Sequence, residues 1–79
     1  MLKIDGHDNA ILGPAGIWRN NTIVNVLVYD AEAIRANLMR DGMDSEEARE
    51  FIEFNIEGGY LGIETPVLVW TEDLWDEES

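Results

Sequence analysis

Asp41-Gly42-Met43-Asp44-Ser45-Glu46-Glu47-Ala48 decides how this chain is read. Gly42 suits the left-handed position that closes a helix, and Arg40 sits near the negative end of that helix's dipole. Asp44 and Glu47 have the spacing of a capping box, with Asp in place of Ser or Thr. Met43 and Ala48 have the spacing of a hydrophobic staple. One helix stops here and another starts within a few residues.

Upstream, Asp30 is placed as the N-cap of Ala31-Glu32-Ala33-Ile34-Arg35-Ala36-Asn37-Leu38-Met39-Arg40, whose good helix formers and Ile34/Leu38 pair predict a helix over 31–41. Downstream, the second helix is predicted over 44–57, through Phe51, Ile52, Phe54 and Ile56, until Gly58-Gly59 stops it. Flanking the helices are runs with strand chemistry: Ala10-Ile11-Leu12-Gly13, the β-branched Thr22 to Tyr29, and Val67-Leu68-Val69-Trp70 after Thr65-Pro66. Strands are predicted near 10–13, 22–29 and 66–70. The segment between the first two, through Asn20-Asn21, carries Gly, Pro and Asn and reads as a turn or loose hairpin, with Gly13-Pro14-Ala15-Gly16 its most turn-like part and Trp18 placed to pack over the pair. The expected fold is α+β, a small two-layer domain in the order ββααβ, with a three-stranded antiparallel sheet under two helices.

Seventy-nine residues allow one domain, spanning 1–79, with an acidic tail at 76–79 predicted to be mobile. The chain has no Cys, so disulfides, thiolate zinc sites and thiol nucleophiles drop out together. No apolar run approaches the roughly 20 residues of a membrane span, and the first residues lack the apolar core of a secretory signal, so a cytoplasmic protein is expected. Five Lys+Arg against 17 Asp+Glu give a formal net charge of -12. Direct binding to nucleic acid or an anionic membrane is disfavoured, and the expected partner is a basic protein surface.

Ten of the twelve net charges fall in residues 44–57 and 72–79. On a helical wheel Glu46, Glu50, Glu53 and Glu57 form one file, with Glu47 near its start. Carboxylates recur along it about every 5 to 6 Å, comparable to the phosphates of a nucleic-acid strand. The same file is also what the solvated face of an amphipathic helix looks like, although like charges four residues apart are mildly destabilising. In the tail, Asp73 and Asp76 flank Trp75, an aromatic of the kind that anchors interfaces. Trp70 is expected at the core edge. Asn55 is predicted on the apolar helix face, bonded to backbone near Gly58-Gly59 or Thr65-Pro66.

Catalytic constellations are missing from the sequence: there is no phosphate loop, no nucleophile elbow and no His-Glu-x-x-His. Asp5-Gly6-His7-Asp8 reads as a turn before it reads as a metal site, and the Asp41-Gly42-Met43-Asp44 segment lacks the alternating ligands of a calcium loop. The expectation is a binding protein with no catalytic residues, no metal and no cofactor.

The run from Asp41 to Pro66 resembles a family of small, uncharacterised proteins of bacteriophages and mobile elements, with the pattern DGM-x-x-EEA-x-EF-x-EFN-x-x-G-[AG]-[YW]-x-G-x-x-TP. His7 to Gly13 and the Val28-Tyr29-Asp30 junction are similar to earlier blocks of that family. The resemblance implies a phage origin. For a phage protein of this charge it implies an inhibitor of host nucleic-acid machinery, such as an anti-CRISPR acting by DNA mimicry on a host defence complex. The alternative is an accessory interaction module of the phage particle or replication machinery without mimicry.

Overall fold

The computed structural model describes residues 2–57 and 62–71. Along the chain run a short 3-10 turn at Asp8–Ala10, β1 (Ile11–Arg19), β2 (Thr22–Asp30), α1 (Ala31–Arg40), α2 (Ser45–Ile52), a π turn at Glu53–Glu57, and β3 (Val67–Val69). The three strands form one sheet in the order β1-β2-β3.

The junction between the helices follows its local signals. Asp30 accepts from the Glu32 N–H and caps α1. Gly42 has φ 117°, the Gly42 N–H donates to Met39 O at 3.0 Å, and the Met43 N–H donates to Leu38 O at 3.2 Å. Those two bonds close α1 in the 5→2 and 6→1 pattern of a Schellman motif. The Glu47 N–H then donates to Asp44 Oδ1 at 2.8 Å, and Glu47 Oε1 accepts from the Asp44 N–H at 3.1 Å. Both halves of the capping box are present.

Buried Tyr29, Ile34, Leu38, Ala48 and Ile52 join Ala10 in the core between sheet and helices, with Leu68 and Trp70 packed against it. The Tyr29 hydroxyl, inside that core, accepts from the Ile4 N–H at 2.8 Å and ties down the N-terminal segment.

Several expectations need correction. The sheet is mixed, because β3 pairs with β2 in parallel, Val28 facing Val67 and Asp30 facing Val69. A parallel neighbour requires a crossover of a dozen or more residues, and the stretch holding α1 and α2 supplies it. Gly13-Pro14-Ala15-Gly16 is not a turn but the middle of a nine-residue strand with alternating burial. Proline is tolerated there because β1 is an edge strand. The reversal lies at Asn20-Asn21, both with positive φ (52° and 63°), as a two-residue primed turn demands. Trp18 is 72% exposed and does not cover the hairpin.

The second helix departs from α geometry after Ile52. Asn55 is exposed rather than buried, and its side chain donates to Phe51 O at 3.2 Å. That carbonyl is the one an α-helical Asn55 N–H would use, and over Glu53–Glu57 the winding opens to i→i+5. The buried line of this helix is Ala48 and Ile52, continued by half-buried Ile56, which leaves Phe51 38% exposed.

Candidate functional site

Two groups of polar side chains stand out. The first is the acidic face of α2. Glu46, Glu47 and Glu50 are exposed on α2, and Glu53 follows at the start of the π turn. They are not equivalent. Glu47 is engaged in the capping box, and Glu53 Oε2 lies 3.5 Å from Arg49 Nε. Arg49 in turn stacks its guanidinium 4.5 Å from the centre of the Trp70 ring, in cation–π range. Arg49 thus carries charge from the acidic face toward the core edge, and Glu46 and Glu50 are left as the least compensated members of the file.

Glu57 belongs to the π turn by its backbone, and its side chain lies outside the described structure, as do Asp73, Trp75 and Asp76. The sequence reading missed Phe54, which is 80% exposed one turn beyond Glu50. Its signal was available: with Ala48, Ile52 and Ile56 taken as the buried line, Phe54 falls on the opposite side. An aromatic ring standing among carboxylates is an anchor of the kind that dominates interface energetics.

The second group is a polar cleft between the N-terminal turn and the C-terminal end of α1. At its back is Asn37, 7% exposed, the one buried polar side chain among the described residues. Its Nδ2 donates to Asn9 Oδ1 at 2.8 Å and lies 3.0 Å from His7 Nδ1. Its Oδ1 accepts from Asn9 Nδ2 at 3.1 Å and from Arg40 Nη2 at 2.6 Å. The amide therefore makes four hydrogen bonds, its full capacity. No sequence motif announces this cluster, because its members are about thirty residues apart. A polar Asn at a helix position facing the core, three residues before Arg40, was the available hint.

Among the described residues no group of three or more His, Cys, Asp or Glu side chains is arranged to hold a metal, and no helix is long and apolar enough to cross a membrane. Comparison with family models, curated proteins and solved structures returns no match.

Proposed function

We propose that this protein is a binding module that sets the acidic face of α2 against a basic, nucleic-acid-binding surface of a partner protein, as a phage-type inhibitor of a host defence complex such as an anti-CRISPR. The observation that carries this reading is the exposed set Glu46, Glu50 and Glu53 with Phe54 beside it. The resemblance of the Asp41–Pro66 run to small phage proteins supports it. Carboxylates held on a helix compete with phosphates for the partner's cations, and a net charge of -12 speeds encounter with a positive surface. Phe54 supplies contact area that a plain polyanion lacks.

The test is a lysate pull-down at about 50 mM and about 500 mM salt, followed by DNA displacement from whatever is captured, because electrostatic binding weakens with the logarithm of salt. Glu46→Gln/Glu50→Gln/Glu53→Gln should keep the fold, since those side chains are exposed, and should lose both capture and DNA displacement. Undiminished binding by the triple variant, with no salt dependence, would refute mimicry.

A second reading, an accessory interaction module without mimicry, is favoured by a different observation. Trp18 and Ile23 face each other across the β1–β2 ladder and are 72% and 60% exposed, on the sheet face that the helices cover only at its other end. Trp18→Ser separates the two readings. It should leave salt-dependent binding intact if α2 is the contact, and should abolish binding if the hairpin is.

A further inference from the structure

We infer that the cleft formed by His7, Asn37 and Arg40 is a binding site for a small oxyanion that keeps an O–H of its own, hydrogen phosphate being the simplest. This inference is independent of the α2 reading and uses none of its residues.

Arg40 can only donate, so the atom of the Asn37 amide that faces Arg40 Nη2 at 2.6 Å must be the oxygen. The amide orientation is thereby fixed, and the atom facing His7 Nδ1 is the NH2 group. His7 Nδ1 must accept, which puts the ring proton of the neutral imidazole on Nε2. Among the described residues no partner engages Nε2. One buried amide thus holds an imidazole donor and a guanidinium at its two polar atoms, and both line the same open cleft of about 520 Å³.

Arg40 is also distinctive among the basic side chains of the described residues. Lys3, Arg35 and Arg49 each face a carboxylate, Asp8, Glu32 and Glu53 respectively, and Arg19 Nη1 donates to two backbone carbonyls, Ile63 O and Thr65 O. Among the described residues Arg40 makes no ion pair. Its one polar partner among the described residues is Asn37 Oδ1, although the chain carries 17 acidic residues. A guanidinium has five N–H donors, and a fork held in place by one of them presents the others in the planar geometry that suits two oxygens of an anion.

Two carboxylates also border the cleft. Asp8 is balanced by Lys3 at 3.7 Å, and among the described residues Asp41 has no such partner. Asp41 repels a bare anion and accepts from one that retains an O–H. The cleft is therefore matched to a ligand with acceptor oxygens toward His7 and Arg40 and a donor toward Asp41. The overall charge of -12 opposes any anion from a distance, so binding must come from these short-range contacts. At about 0.15 M salt, where the Debye length is roughly 8 Å, remote carboxylates are largely screened.

The experiment is a titration of the full chain at neutral pH and constant ionic strength with sodium phosphate, sulfate and chloride, followed by NMR of the His7 ring and the Arg40 guanidinium. The expected result is a His7 ring in the Nε2–H form, with saturable shifts in phosphate. Sulfate, which has no O–H at this pH, should bind at least several-fold more weakly, and chloride should give no saturation. Arg40→Gln should weaken phosphate binding by about tenfold or more, through loss of a charge-assisted donor. Arg40→Lys, which keeps charge and a donor to Asn37, serves in its place if Arg40→Gln does not fold, and should fall in between. Asp41→Asn should narrow the preference for phosphate over sulfate. A ring in the Nδ1–H form, equal linear shifts in all three salts, or phosphate saturation unchanged in both Arg40 variants would each overturn the inference.

Discussion

At Asp44 a single side chain does two separable things. Its carboxylate accepts the Glu47 N–H, and its charge sits at the positive end of α2. Asp44→Ala should destabilise the protein by about 1 kcal/mol, from the cap bond and the dipole together. In a domain of this size that corresponds to roughly 4 to 8 °C in melting midpoint. Asp44→Asn keeps an acceptor of equal capping quality and removes the charge, so it should recover most of the loss. An unchanged midpoint for the alanine variant, measured by thermal denaturation, would contradict the assignment. The same residue shows why the helix junction is legible from sequence: capping box, staple and left-handed glycine each act within about five residues, so spacing alone identifies them. Asn37 shows the opposite. Its partners His7 and Asn9 come from the far end of the chain, and only the folded structure reveals that one amide joins them to Arg40.

The β1–β2 hairpin is the element in which local signals misled. Gly13-Pro14-Ala15-Gly16 has turn chemistry, but a strand at the edge of the sheet can include a proline that lacks an N–H and glycines that weaken its pairing. Within the same stretch Asn20-Asn21 is the weaker signal in composition and the stronger in backbone requirement, since both residues take positive φ. Asparagine tolerates that region and alanine does not, at a cost of about 1 to 2 kcal/mol per residue. Asn20→Ala/Asn21→Ala should therefore lower the midpoint of urea denaturation, whereas Asn21→Gly, which completes the preferred Asn-Gly pair, should hold or raise it. The opposite order would mean that the reversal is not set by left-handed backbone. The pairing of β3 was beyond any local reading. Its parallel direction depends on how the chain returns after α2, and Val67–Val69 would look the same in either orientation. The π turn was not foreseen either: it coincides with a side-chain bond from Asn55 to Phe51 O and with the weaker helix formers Phe54, Asn55 and Ile56.

Across the whole molecule charge is segregated. From Asn9 to Tyr29 there is no acidic residue and one base, Arg19, while residues 44–57 alone carry a net charge of -5. The hairpin and the acidic helix are thus surfaces of different character in one small chain. The acidic part has a cost in stability, because like charges on a compact body repel and the unfolded chain spreads them apart. Glu46 and Glu50 stand four residues apart on α2, a spacing at which like charges lose roughly 0.2 to 0.5 kcal/mol per pair, and of the three Glu residues invoked for binding only Glu53 has Arg49 close by. If this repulsion is felt in the folded state, raising NaCl from about 10 mM, where the Debye length is roughly 30 Å, to about 150 mM, where it is roughly 8 Å, should raise the melting midpoint. The triple Gln variant should start from a higher midpoint at low salt and gain less on addition. A midpoint independent of salt in both proteins would show that the acidic face is already relieved by its neighbours. A fixed phosphate mimic would then have less to gain from meeting a basic partner, and the exposed Trp18 and Ile23 of the hairpin would become the better guide to what this protein binds.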